Sequence, residues 1–429
     1  MSFANQRNVL ITDRCGSVYS FLWEEEKIKF IYFNKSLDKF HTITLAENAT
    51  LEFDVTIDED DCLYLVYRRR DQQMIIRCFK NGNWDENLLG DANGLDVFNL
   101  NIISYNQDIH ILYCTLFDKV DMKYRIYHHF YDREKWNNIQ VMDITKKSLL
   151  NPFQLIKTQK GFILGYYNVV DTTEQIFVKE FNHSDKVWEV PVQLTSSDDD
   201  KLCIDIIMTN NEILHLSYSS YIEENLTIKY DKYKYLNNKW TKVLEKELSN
   251  HANCMYPTFV IDENKLWTVW TEYDQIVSSF TLNNGISWNG PYVWKGTKEN
   301  LFFRYKFESK DKELNNTYQL NHAFGKKYPE FSFIGFGSLN EAEEIVLKKK
   351  KEGDKMEDQE LNKVEKGTKD IKEEKNCELV EGNLKENHEK DILQLEKQIE
   401  ELESKMKNME EYIYRRRRGI IFSNRNNKK

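Results

Sequence analysis

The chain is poor in the residues that usually make turns. It has 5 prolines and 16 glycines in 429 residues. Its turns must therefore use Asn and Asp, whose short side chains bond to nearby backbone and tolerate positive φ. The seven cysteines are Cys15, Cys62, Cys78, Cys114, Cys203, Cys254 and Cys377, an odd number without a CxxC pair. That excludes a zinc-ribbon spacing and argues against a disulfide framework, so a reducing compartment is expected. The N-terminus has no basic region followed by an apolar run, and no stretch approaches the ~20 apolar residues of a membrane span. A cytoplasmic location is expected. Net charge is -10, whereas general nucleic-acid binders are usually basic. No Walker loop, GxSxG, HExxH or Cys/His metal spacing occurs. No catalytic residue, metal site or cofactor is expected.

What the chain does have is aromatic residues in phase. Aromatics are 13% of the sequence, which favours pleated strands. Trp84, Trp136, Trp188, Trp240 and Trp288 are spaced by 52, 52, 52 and 48 residues. A second column ends six apolar runs at Trp23, Tyr67, Tyr113, Tyr166, Tyr218 and Trp270. Each unit reads as four strands. In the second, an alternating segment (51–58) precedes an apolar one (62–68), a third (74–80), an Asn-Gly hairpin and a closing strand from Trp84. Four strands per 40–50 residues is the signature of propeller blades. The fold class expected is all-β: a six-bladed β-propeller over 1–308, with blades near 8–49, 51–91, 98–145, 151–196, 200–248 and 254–297. Residues 301–307 alternate well enough to add a sealing strand. Asp58, Asn210 and Asp262 precede the column by eight or nine residues, which suits a tight turn between the first two strands.

Residues 281–288 read Thr-Leu-Asn-Asn-Gly-Ile-Ser-Trp. This resembles the Asp-box of sialidase-like (BNR) propellers, S/T-x-D-x-G-x-T/S-W, with Asn283 in place of Asp. The box lies between third and fourth strands in that family and falls at the matching place here. The other units keep the Trp without the Gly and Asp. The resemblance implies a degenerate sialidase-like propeller. It also implies what sialidase activity would need, three arginines from separate blades gripping a substrate carboxylate. No arginine occurs between Arg133 and Arg304, so most of the ring supplies none. The expectation is a protein without catalytic residues.

The column Trp23, Tyr67, Tyr113, Tyr166, Tyr218 and Trp270 has two readings, a binding ring on one face or packing between blades. The loops that follow it differ in every unit, which is where recognition on a constant frame would reside. Arg68-Arg69-Arg70 is the most specific candidate for gripping an acidic partner. His128 and His129 are strand neighbours, so they point to opposite faces and do not share a metal. Asp198-Asp199-Asp200 and Glu59-Asp60-Asp61 lack the glycine spacing of calcium loops and read as solvated acidic loops.

Beyond 308 the composition changes. Residues 309–390 read as a charged, largely disordered linker, interrupted by the aromatic island 329–337, which could dock on the propeller. Ile392, Leu395, Ile399, Leu402, Met406, Met409 and Ile413 then alternate spacings of three and four. That is an a/d seam of three heptads, and Ile at a with Leu at d favours a parallel dimer. The helix is expected over 391–418, followed by a basic tail (419–429). Arg415-Arg416-Arg417-Arg418 fits either the helix dipole or an anionic surface. Together these features point to a binding and assembly protein: a propeller that recognises a glycan or protein surface, made multivalent by a coiled coil. The alternatives are a glycan-active hydrolase and a structural protein anchored by its tail.

Overall fold

The computed structural model describes residues 8–347, apart from 35–38, 92, 93, 95, 148–151, 211, 223, 238, 299, 300 and 328–330. The described residues all belong to one compact unit. The heptad segment, the basic tail and the linker from 351 onward lie outside the described residues.

Among the described residues six sheets follow one another along the chain, each built on an antiparallel meander of consecutive strands, and the first and sixth carry extra strands from the segment after 302. The first comprises Asn8–Thr12, Val18–Glu24, Lys27–Asn34 and Lys39–Ala46. The later sheets begin at Ala49, Val97, Phe153, Lys201 and Met255. The first strand of one sheet lies against the first strand of the next. Leu100, Ile102 and Ser104 donate their N–H groups to Glu52 (3.0 Å), Asp54 (2.8 Å) and Thr56 (3.1 Å) of the preceding sheet. Ile206 N–H reaches Gln154 at 3.1 Å and Phe259 N–H reaches Asp205 at 2.6 Å. Serial meanders joined along their first strands are the blades of a β-propeller.

The inner strands share a device absent from any apolar pattern. Their register to the second strand shifts in four sheets. In three of these Asn99, Cys203 and Tyr256 take φ of 54°, 52° and 55°. Such bulges turn a strand locally. In each case the residue three further on is the N–H donor just named, so the bulge aims that donor at the neighbouring blade.

The tryptophan column holds blades together. Trp84 meets Phe21 and Phe30 of the first sheet edge-on, at 6.3 and 5.6 Å. Trp188 meets His128 of the third at 5.6 Å, and Trp288 meets Tyr230 of the fifth at 4.9 Å. Trp240 donates to Glu180 of the fourth at 2.8 Å. Trp136 departs from the pattern. It leans on Tyr131 of its own sheet and is exposed. The Asp-box-like turn before Trp288 is closed by side chains. Gly285 N–H donates to Thr281 Oγ1 at 3.0 Å and Ser287 N–H to Asn283 Oδ1 at 2.9 Å. Gly285 has φ +84°, and a Cβ there would overlap the Tyr230 hydroxyl. At the other turn type, Asp58 Oδ1 accepts from Asp60 and Cys62 N–H while its Oδ2 accepts from Tyr64. Asp13 repeats this with Cys15, Ser17 and Tyr19.

The sealing strand expected near 301–307 is present, and one expectation needs correction: the segment 309–347 is not a linker. Phe303–Ser309 pairs in parallel with Asn8–Thr12, and Tyr318–Leu320 pairs with the inner strand of the sixth sheet. His322–Gly325 and Phe333–Ile334 complete a small wedge between the sixth and first blades. Ala342–Glu344 then lies on the outer strand of the sixth sheet. This stretch lacks long apolar periodicity because its order comes from pairing with strands already formed. The aromatic island docks here, with Phe333 and Phe336 packed on the sixth blade's core.

The wedge also fills the channel between inner strands. Lys306 Nζ bonds Asp54 Oδ2 at 2.6 Å and the carbonyls of Val55 and Ile102 at 3.0 and 3.1 Å. Glu308 takes Thr56 at 2.7 Å and Lys157 at 2.6 Å. Asn321 and Gln319 donate to the carbonyls of Ile206 and Met208. Removing one partner of a buried ion pair costs about 3–5 kcal/mol. Lys306→Met should therefore lower the urea unfolding free energy by about that amount, and adding Asp54→Asn should recover part of it. Equal stability of Lys306→Met and wild type would show that the channel network holds nothing.

Candidate functional site

The predicted aromatic column is core, not surface. Tyr67, Tyr113, Tyr166, Tyr218 and Trp270 are all buried. Each belongs to the apolar cluster shared with the preceding blade. Trp23 is one residue out of phase. Tyr19, which contacts Asp13 as Tyr64 contacts Asp58, sets the register, so Leu22 occupies the column position. Trp23 consequently faces the following blade and donates to Ala49 O at 2.9 Å. The five buried rings present no face for stacking on a ligand, and Trp23 is half-buried.

The arginine loop is closed by its own partners. Arg68 is buried and pairs with Asp96 at 3.4 Å. Arg69 meets Glu86 at 2.9 Å, and Arg70 is bonded to Glu26 of the first blade. Arg77 Nε also reaches Glu86, at 2.7 Å. Tyr67 donates to the same carboxylate at 3.3 Å, but burial raises its phenol pKa, so it is not poised to ionise. Among the described residues the remaining arginines are also engaged. Arg14 pairs with Glu59, Arg125 with Asp143, and Arg304 with Thr258 and Asp205, while Arg133 donates to Gln107 O. No three of them converge on one open point. The acidic loops likewise hold basic side chains: Asp200 binds Lys147, and Glu59 binds Lys310 and Arg14.

Exposed aromatics occur three residues beyond the column. Tyr221 follows Tyr218 and Tyr273 follows Trp270, at equivalent places in successive blades, with 52% and 64% of their surfaces exposed. Phe117 and Val120 stand in the corresponding loop of the third blade and are also exposed. Sequence reading missed this set because it sought repetition, and these positions vary (Arg70 and Val169 occupy them in the second and fourth blades). The signal available was the end of the apolar run: both tyrosines lie at or just past the last residues of the second strand, where the backbone leaves the sheet.

A second cluster lies between the third and fourth blades. Trp188 Nε1 donates to His128 Nδ1 at 3.2 Å. An indole is only a donor, so neutral His128 carries its proton on Nε2. That proton is donated to His110 Nδ1, 2.9 Å away. His110 must then carry its own proton on Nε2, a buried atom with no partner. Asp108 and His183 stand nearby, 3.0 Å apart, and Lys186 bonds both of them. His129, on the opposite face, bonds Tyr113 instead.

No family model matches the sequence, and no curated protein matches it. Among solved structures, one aligns closely enough to show a shared fold, and others align more loosely. An ulvan lyase of polysaccharide lyase family PL25, bound to -[GlcA(1-4)Rha3S]-, aligns with TM-score 0.53 at 9% identity, covering 78% of this chain and 96% of that one. The Aleuria aurantia lectin, in complex with Fucalpha1-6GlcNAc, gives TM-score 0.40 at 13% identity over 68% and 97%. A Penicillium chrysogenum alpha-L-arabinanase gives 0.41 at 10% over 64% and 93%. At these identities the likeness is one of fold.

Burial lowers the pKa of His128 to about 3 and does the same to His215. A group whose folded pKa is depressed stabilises the fold above its unfolded pKa, about 6.5, and that contribution is lost as pH falls towards the folded value. Urea midpoints should therefore drop steadily between pH 6.5 and about 3. His128→Phe, which installs the residue type found at the equivalent Phe30, should flatten that slope. An unchanged slope would mean that His128 does not titrate on unfolding.

Proposed function

We propose that the propeller is a non-catalytic recognition module for a glycan surface, of degenerate sialidase-like descent, and that the heptad segment from Ile392 to Ile413 pairs two chains in parallel. The observation that carries this reading is the pair of exposed tyrosines, Tyr221 and Tyr273, repeated at one position of adjacent blades. Broad, rigid rings with a hydroxyl at the tip offer an apolar face and a polar handle at low entropy cost. Tyr221 stands near the end of the strand Ile213–Ile222 and Tyr273 in the turn that follows Lys265–Glu272, both beside strands whose inner residues are buried. The partnered state of the arginines among the described residues supports the absence of sialidase chemistry, because each of those guanidinium groups is already engaged. Buried thiols at Cys62, Cys114, Cys203 and Cys254 suit a protein of a reducing, cytoplasmic compartment. In this reading the basic run Arg415–Arg418 adds an anionic contact beside the paired helices.

Glycan-array binding by the full chain, followed by calorimetry on the best saccharide, tests the site. Tyr221→Ala with Tyr273→Ala should weaken binding at least tenfold with unchanged circular dichroism. Binding that survives both changes, or selective capture of a protein instead of any saccharide, would overturn the glycan site. Deleting 391–429 should leave the affinity for a single soluble saccharide unchanged. On a dense glycan surface it should reduce avidity by about 10²–10⁴-fold, the gain that linked modules obtain from effective concentration. Turnover of a glycoside panel would overturn the non-catalytic assignment.

A further inference from the structure

The junction of the third and fourth blades carries a group that its surroundings leave unfinished. His110 is fully buried in the strand Asp108–Asp118. Its Nδ1 is engaged by His128, and its Nε2 is buried without a hydrogen bond. One ligand atom from each of Asp108, His110 and His183 falls within 4.8 Å of the other two. The three come from rigid places. Asp108 and His110 open the second strand of the third blade, and His183 begins the turn after Thr173–Asn182 in the fourth. Tyr105 braces the His183 ring at 4.8 Å. The charged and titratable groups facing the cluster are Asp108, His183, Lys186, Lys157 and, behind His110, His128.

We propose that Asp108, His110 and His183 form a zinc-binding site. Two imidazole nitrogens and one carboxylate oxygen are a donor set that zinc takes, leaving a fourth position for water. Tetrahedral bonds of ~2.0–2.1 Å place donors about 3.4 Å apart. The Asp108–His183 pair already stands at 3.0 Å. Lys186 marks the cation position, since its ammonium touches both of those ligands. It satisfies two of the three and leaves His110 unpaired, whereas a metal engages all three. Lys186 sits on a turn with a third of its side chain in solvent, so it can swing out.

Zinc on His110 Nε2 moves that ring's proton to Nδ1, which then donates to His128 Nε2. The His128 proton moves in turn to Nδ1, and the Trp188 indole loses its acceptor. No proton is gained or lost in this relay, and the change is reported by Trp188. A histidine behind a metal-bound histidine orients it, and altering such a partner typically costs 10–100-fold in affinity.

The test uses the full chain, stripped with a chelator and titrated with zinc by calorimetry and tryptophan emission. One equivalent should bind, with an emission change that Trp188→Phe abolishes. Lys186→Ala removes the competing ammonium and should tighten binding about tenfold. Asp108→Asn and His183→Gln should each weaken it more than 100-fold, and His128→Phe by 10–100-fold, all with unchanged circular dichroism. Two outcomes would sink the proposal. One is no stoichiometric binding to wild type or Lys186→Ala. The other is zinc that Asp108→Asn and His183→Gln hold as tightly as wild type, which would place the metal elsewhere on the chain.

Discussion

Everything in this molecule follows from the inner edge of its sheets. A blade ends at the channel with a strand whose outward N–H and C=O groups have no further strand to pair with, and such edges are costly if buried and hazardous if open. Here the donors are satisfied by side chains of the preceding blade, Asp54, Gln154 and Asp205. Several carbonyls are satisfied from the other side by Lys306, Gln319 and Asn321 of the closing segment. The bulges at Asn99, Cys203 and Tyr256 exist to present those donors. The closing segment is polar because the groups it serves are polar.

Outside the channel the blades are joined by aromatic packing, and the two layers differ in what they allow. The Trp84, Trp188, Trp240 and Trp288 contacts recur with changed partners: Phe30, His128, Glu180 and Tyr230. Position is preserved while chemistry drifts. At the third blade the drift produced a histidine pair, and with it a tautomer chain that ends in an unpaired donor. At the loops there is no packing to preserve, and the residues there vary most.

Much of the fold was legible in the sequence because repetition records packing. The tryptophan period located the contacts between blades at Trp84, Trp188, Trp240 and Trp288, and it misled only where Trp136 turned outward. The second column marked buried positions, and its departure at Trp23 was a one-residue phase slip that only the Asp13–Tyr19 turn reveals. The segment 309–347 was illegible for a physical reason. Its strands are only two to four residues long, too short to show a period, and they are ordered by edges supplied from residues 303–306, 260–262 and 292–294. The candidate site was the least legible part. Tyr221 and Tyr273 stand out only once burial is known, and the cluster of Asp108, His110 and His183 joins residues 75 apart across two blades.

The parallel pairing of Asn8–Thr12 with Phe303–Ser309 also has a meaning in time. The first blade's own strands are complete by residue 46, yet the strand that completes its inner edge is made only at residues 303–309. At translation rates of about 5–20 residues per second, roughly 15–60 s separate the two. Throughout that interval a nascent chain carries a finished sheet with an unpaired edge, in a crowd of other chains. The order of synthesis, more than the stability of the finished ring, therefore sets when this protein is most exposed to mispairing.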